Sequence, residues 1–130
     1  IAMQVELNAV HSLVEREEPH PHTWTLEWRY WTSVDQRMDA SLLKNRLAEK
    51  VAILQGKSLH SDPGVPANIQ ADPSSEQLAI WANRVGLEME REFPNAIRLR
   101  NVVVTLLDPV PHPWIRVELE RGALTQNSLL

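Results

Sequence analysis

The chain contains no cysteine, so an enzyme with this sequence works without a thiolate nucleophile or base. It also lacks runs of lysine or arginine, and its formal net charge of -4 with a pI near 5.7 argues against nucleic acid as a partner. A signal peptide and long apolar stretches are missing too. We therefore expect a cytoplasmic protein that does not associate with membranes.

The first half of the chain predicts two strands followed by a helix. Residues 3–13 and 22–30 alternate between apolar and polar side chains, as half-buried strands do. The helix begins after Asp39, a typical N-cap residue, and Gln55-Gly56 ends it. Its buried stripe is predicted to consist of Leu43, Leu47, Val51 and Leu54.

The second half predicts a loop, a helix and two more strands. Residues 57–72 contain no periodicity and are interpreted as a long loop. The second helix opens at a capping box of Ser74 and Gln77. Strands are predicted over 97–107 and 114–120, with a proline-rich connection between them. The order β-β-α-α-β-β predicts a single α+β domain over residues 3–120, with two helices on one face of a four-stranded antiparallel sheet. Residues 121–130 are expected to be a disordered C-terminal tail.

Three histidines stand where the first two predicted strands end and begin. His20 and His22 are two residues apart, so on a strand their imidazoles point the same way. His11 lies at the end of the preceding strand. Three imidazoles are typical of a catalytic zinc with an open fourth position. The alternative is structural: Pro19 and Pro21 hold a loop extended, and His11 is an ordinary hydrogen-bonded strand residue.

The five tryptophans also allow two interpretations. In the first they stack on a flat heterocycle, and in the second they belong to the core and to a subunit interface. The second interpretation is favoured because their positions follow strand and helix periodicity. The tryptophans are Trp24, Trp28, Trp31, Trp81 and Trp114.

Four motifs together resemble the 6-pyruvoyltetrahydropterin synthases and the related 6-carboxytetrahydropterin synthases, over residues 3–120. Ala9-Val10-His11 is similar to an Ala-Ala-His motif of that family, and His20-Pro21-His22 is similar to its His-Gly-His motif. Met38-Asp39-Ala40 resembles a Met-Asp-Phe segment. Pro73-Ser74-Ser75-Glu76-Gln77 resembles a Pro-Thr-x-Glu-Asn segment.

This resemblance implies a tunnelling fold, a homohexamer built from two trimers, and a pterin-like small-molecule substrate. It implies zinc as the cofactor, with His11, His20 and His22 as its ligands. It also implies that Ser74 and Glu76 contact the substrate.

The departures from the family concern proton transfer and ring recognition. The family carries a catalytic cysteine where this chain has Arg16. It also carries an Asp-His pair just after the first helix, before a Leu-Asn, where the matching segment here is Gln55-Gly56-Lys57-Ser58-Leu59-His60 and both members of the pair are missing. A glutamate that recognises the pterin ring corresponds to Asp108. His60 and His112 are candidates for a replacement general base, because a histidine pKa suits proton transfer near neutral pH. Glu17 is a further titratable candidate, although a solvated loop charge is the favoured explanation for it and for Glu18.

Two functional hypotheses follow from the resemblance. The first is a zinc-dependent, lyase-type enzyme whose chemistry has diverged and whose substrate is a pterin-like or related heterocycle. The second is a non-catalytic relative that keeps zinc and the pocket as a binding or structural module. In a third interpretation, zinc only holds two strands together and the protein supplies its fourth ligand.

Overall fold

A four-stranded antiparallel sheet is the centre of the computed structural model, which describes residues 1–11, 20–34, 38–107 and 115–123. The strands lie side by side in chain order, and the helices fall between the second and third strands in sequence. This confirms the predicted α+β class. The elements are β1 (Ala2–His11), β2 (His20–Thr32), α1 (Ala40–Ala52), α2 (Ala67–Ala71), α3 (Ser75–Glu92), β3 (Ile97–Leu106) and β4 (Arg116–Glu120).

The second strand begins earlier than its sequence pattern indicates. The alternation predicts a strand from residue 22, but His20 and Pro21 already pair with His11 and Val10 of β1. Pro21 has no N–H to donate. The ladder tolerates it because pairing between β2 and β3 extends only to Trp24 at this end of the sheet.

One face of the sheet forms the core beneath the helices. The indoles of Trp24 and Trp28 are fully buried there, and Trp81 of α3 is 7% exposed. The core prediction is confirmed for these three. Trp31 is 59% exposed and does not belong to this core: it follows Tyr30 in β2, and consecutive strand residues face opposite sides of the sheet. For this residue the predicted subunit interface stays a prediction. Trp114 lies outside the described residues.

Helix α1 begins as predicted. The carboxylate of Asp39 accepts hydrogen bonds from the backbone N–H groups of Ser41 at 2.9 Å and Leu42 at 3.3 Å. These bonds satisfy donors that the helix itself leaves without partners. The buried side of α1 is formed by Leu43, Leu47 and Val51.

The segment over 57–72 is not the structureless loop that its composition predicts. It contains the short helix α2, whose Ile69 is fully buried, and its beginning pairs with the edge of β1. Val10 donates to the Lys57 carbonyl at 2.9 Å, and Leu59 donates to the Val10 carbonyl at 2.8 Å. A helix of five residues has too little periodicity to be recognised from sequence.

Helix α3 begins after Ser74, as predicted, but only half of the capping box forms. The Gln77 N–H donates to Ser74 Oγ at 3.3 Å. The Gln77 side chain instead accepts from Asn68 Nδ2 at 2.9 Å, and the Ser74 N–H donates to the Asp72 carbonyl at 2.8 Å. In a complete capping box the Gln77 side chain would accept from the Ser74 N–H, but here bonds with Asn68 and Asp72 of the preceding segment take its place.

Three contacts attach α3 closely to the sheet. Trp28 Nε1 donates to the Ala82 carbonyl at 2.7 Å, and the Tyr30 hydroxyl donates to the Gly86 carbonyl at 3.2 Å. A Cβ on Gly86 would lie 2.8 Å from a methyl of Leu99, so glycine permits this close approach. No helix among the described residues has the length and apolar character needed to cross a bilayer.

Candidate metal centre

The three histidines singled out from the sequence converge where β1 meets β2. His11 pairs directly with His20 across the two strands, and Ala9 pairs with His22. All three imidazoles lie on the helix side of the sheet, because each strand repeats every two residues. Ring centroids are 4.9 Å apart for His11 and His20, and 4.4 Å for each of the other two pairs.

The spacing of the rings fits a single metal ion. One potential ligand nitrogen from each histidine lies within 4.8 Å of the other two. In a tetrahedral zinc site, Zn–N bonds of about 2.1 Å place the nitrogens about 3.4 Å apart, so small side-chain rotations suffice. Among the described residues, no fourth histidine or carboxylate joins the group. The donor set of three imidazoles suits zinc, with a further position for water or substrate.

A backbone carbonyl orients the first of these rings. His11 is 3% exposed, and its Nδ1 lies 2.8 Å from the carbonyl oxygen of Pro73. Since a carbonyl only accepts, Nδ1 carries the proton and Nε2 is left as the ligand atom. A histidine that binds a metal is commonly held in this way by its other nitrogen. This acceptor comes from the segment matched to the family's Pro-Thr-x-Glu-Asn motif.

Trp24 forms an apolar side wall of the cluster. Its ring centroid is 5.2 Å from that of His11 and 5.7 Å from that of His22, with the rings edge to face. Its Nε1 donates to the hydroxyl of Ser75 at 3.1 Å, at the first residue of α3. The residues at the start of α3 therefore support the histidines in two ways. Pro73 is hydrogen-bonded to His11 directly, and Ser75 holds Trp24, which packs against His11 and His22.

A cavity of about 240 Å³ lies at the edge of β1, with His22 and Gly56 among its lining residues. Most of its other lining residues alternate with the three histidines along β1 and β2, so the cavity lies mainly on the sheet face opposite the imidazoles. A Cβ on Gly56 would meet no atom within 4 Å, although its φ of +70° disfavours any other residue. The volume is below the range usual for ligand pockets, so this cavity alone accommodates only part of a drug-sized molecule. The other lining residues are Asn8, Ala9, Val10, Pro21 and Thr23.

Gln55 makes a structural contact where the family carries its Asp-His pair. Its amide accepts from the Asn8 N–H at 2.9 Å and donates to the Glu6 carbonyl at 2.6 Å, as a neighbouring strand would do. The Gly56 N–H adds a bond of 2.7 Å to the Asn8 carbonyl. These side and main chains cover the edge of β1, and neither residue offers a titratable group.

The other residues predicted for the site are spread more widely. His60 does not join the three histidines, and its buried Nδ1 has no hydrogen-bond partner among the described residues. Ser74 is occupied in capping α3, and Glu76 is exposed in the first turn of that helix. Asp108, His112 and Glu17 lie outside the described residues.

Sequence reasoning missed Pro73 and Ser75 as partners of the cluster. Both lie inside a motif that was matched, but the motif assigned its contacts to Ser74 and Glu76. Nothing local marks a carbonyl or a helix hydroxyl as the partner of a ring from a distant strand.

Solved structures with the same architecture support the resemblance seen in the sequence. The 6-pyruvoyl tetrahydropterin synthase of Caenorhabditis elegans superimposes with a TM-score of 0.62 and 15% identity, covering 92% of this chain and 94% of that one. The Plasmodium vivax enzyme gives a TM-score of 0.57 at 15% identity, covering 92% and 98%. This chain has the 6-pyruvoyl tetrahydropterin synthase fold.

A variant of the Plasmodium vivax synthase, in which a catalytic glutamate is replaced by alanine, matches with a TM-score of 0.55 at 14% identity, covering 92% and 98%. The sequence itself matches no protein-family model and no curated protein. At these identities the likeness to the pterin synthases establishes the fold alone. The three histidines are the separate observation that indicates a metal site.

Proposed function

We propose that this protein is a zinc-binding relative of the pterin synthases that has become a divergent lyase-type enzyme. Its substrate in this proposal is a pterin-like or related heterocycle with a polyol side chain. The observation that carries the proposal is the convergence of His11, His20 and His22, with His11 Nδ1 bonded to the Pro73 carbonyl. The shared fold supports the substrate class.

In this proposal the three histidines hold the metal through neutral imidazoles. Bound zinc supplies Lewis-acid polarisation of substrate oxygen atoms. The chain contributes orientation: Pro73 fixes the proton of His11, and Trp24 excludes water from one side of the rings. Burial of His11 and His22, which are 3% and 7% exposed, keeps these two rings in place.

Proton transfer must then come from residues other than a cysteine or an Asp-His pair. His60 is supported by its unpartnered Nδ1 and by its position directly after Leu59, which hydrogen-bonds β1 next to His11. Glu17 lies in sequence between His11 and His20, and a glutamate is a catalytic residue of the Plasmodium vivax synthase. We propose these two as the leading candidates, with His112 as the third.

Ring recognition is proposed for Asp108, Ser74 and Glu76. Asp108 follows the end of β3, where a carboxylate can receive hydrogen bonds from the ring nitrogens of a heterocycle. Glu76 is exposed at the start of α3, the helix whose first turn contacts the cluster.

Assembly as a hexamer of two trimers is part of the same proposal, and light scattering of the purified protein tests it.

Metal analysis tests the ligand assignment. We expect the wild-type chain to bind zinc stoichiometrically, and His22→Ala to lose most of it because one of three donors is removed. His60→Ala is the matched control, since His60 lies outside the cluster. A His22→Ala protein that keeps stoichiometric zinc would exclude this ligand set.

A specific observation favours the non-catalytic module as a second candidate. The positions matched to the Asp-His pair hold Gln55 and Gly56, and both serve the edge of β1. Such a protein binds a heterocycle without consuming it.

Turnover separates the two candidates. With dihydroneopterin triphosphate we expect little conversion, because each missing acid or base typically lowers the rate about 10²–10⁴-fold. Conversion of any pterin that falls in His60→Ala or Glu17→Gln supports the enzyme. Tight pterin binding with unchanged ligand after prolonged incubation supports the module.

A further inference from the structure

We propose that Trp24 and Ser75 are positioning residues for the metal centre, and that their hydrogen bond sets the affinity of the three histidines for zinc. This inference rests on the proposed zinc binding. Neither residue belongs to the set His11, His20 and His22, and neither an indole nor a serine hydroxyl is a usual zinc ligand.

The first step is the position of the indole. Trp24 is fully buried, and its ring meets the ring of His11 at an interplanar angle of 87° and that of His22 at 63°. Two of the three candidate ligands therefore rest against a single side chain. A rotation of this indole would change the room available to both imidazoles.

The second step is what holds the indole. Trp24 Nε1 donates to Ser75 Oγ at 3.1 Å, in a buried bond between residues that lie 51 positions apart. An indole has only this one polar atom, and a buried N–H without a partner is unfavourable. The bond consequently fixes the rotation of the ring relative to the start of α3.

The third step couples the two partners of the cluster. Pro73 precedes Ser75 by two residues, and its carbonyl accepts from His11 Nδ1 at 2.8 Å. One short segment thus orients His11 directly and orients Trp24 through Ser75. If the bond between Trp24 and Ser75 is lost, the segment can shift, and the carbonyl that selects the His11 tautomer shifts with it.

The test compares Ser75→Ala and Trp24→Phe with wild type, using zinc competition against a chromophoric chelator and the visible absorption of the Co²⁺-loaded protein. Each variant removes one partner of the same bond. We expect zinc affinity to fall about 10–100-fold in each, as is usual when the partners of metal-binding histidines are altered. We expect the double variant to bind zinc no more weakly than the weaker single variant.

Asp39→Ala is the control for stability. It removes the cap of α1, which lies outside this set of contacts, and it should lower the melting temperature of the metal-free protein without changing zinc affinity. The Co²⁺ spectrum reports ligand geometry and should change only in the Trp24 and Ser75 variants.

The outcomes separate this inference from the proposed function. Variants that lose thermal stability but bind zinc within about twofold of wild type, with an unchanged Co²⁺ spectrum, would show that the bond is only structural. Trp24→Phe keeps the inference testable if Ser75→Ala fails to fold. A wild-type protein that binds no zinc would overturn both the function and this inference.

Discussion

Removing the side-chain amide of Gln55 should lower the stability of the protein at the edge of β1. Its side chain makes two hydrogen bonds to that strand, one from the Asn8 N–H at 2.9 Å and one to the Glu6 carbonyl at 2.6 Å. Hydrogen bonds contribute about 0.5–1.5 kcal/mol each to stability, and these are exposed, so we expect Gln55→Met to lower the free energy of unfolding by about 1–2 kcal/mol. Methionine keeps the length of the side chain and removes both bonds.

Two measurements check this expectation. Chemical denaturation gives the loss of free energy, which for a domain of this size corresponds to about 3–8 °C in melting temperature. Amide hydrogen exchange gives the local effect, because the Asn8 N–H loses its acceptor and should exchange faster. Lys57→Ala is the matched control, since the hydrogen bond that Lys57 makes with β1 uses its backbone carbonyl, which the substitution keeps.

Gln55→Glu adds a dependence on pH. The carboxylate can accept from Asn8 but cannot donate to the Glu6 carbonyl, and this loss favours its protonated form, which raises its pKa in the folded state. The folded protein then binds more protons than the unfolded chain near pH 4–5, so the deficit relative to wild type shrinks as the pH falls through this range. The reasoning is refuted if Gln55→Met changes neither the denaturation midpoint nor the exchange of Asn8.

Three further changes test the fold at other points. Burial, and next the charge of Glu90, raise the pKa of Tyr30 well above its usual value. The phenol therefore loses its proton in the unfolded chain before it does so in the folded protein, and stability should decline as the pH rises above about 10. Tyr30 is the only tyrosine, so absorbance at alkaline pH follows it directly, and ionisation at an ordinary pKa in the folded protein would contradict its burial. Gly86→Ala should lower stability by about 1–3 kcal/mol in denaturant titrations, because the new methyl meets Leu99, and an unchanged midpoint would show that Leu99 moves freely. Asp39→Ala should cost about 1 kcal/mol through loss of the α1 cap, measured by thermal unfolding, and no change would show that solvent replaces the cap.

Most elements were recognisable from sequence because their signals are local. Asp39 and Ser74 mark the starts of α1 and α3 through side-chain bonds to residues only two or three positions away. The helix α2 was missed because five residues are too few to show a helical period, and its one buried side chain, Ile69, packs against parts of the chain that are distant in sequence. The position of Trp31 was left open by the sequence, because strand periodicity tells which residues share a face but does not tell whether the core or a subunit interface covers that face.

The candidate site divides along the same line. His20 and His22 share a face by strand geometry alone, and the addition of His11 required only that β1 pair with β2 in the observed register. The structure alone supplied the role of Gln55, since its bonds to β1 join residues 47 and 49 positions apart.

The sequence by itself determined the three imidazoles and the strands that carry them, because alternation along a strand is a property of a few consecutive residues. Only the tertiary structure decided what orients those imidazoles. The Pro73 carbonyl reaches His11 across 62 residues, and Ser75 reaches Trp24 across 51. Such partners depend on the path of the chain and on close packing of α3 against the sheet, which no local pattern records.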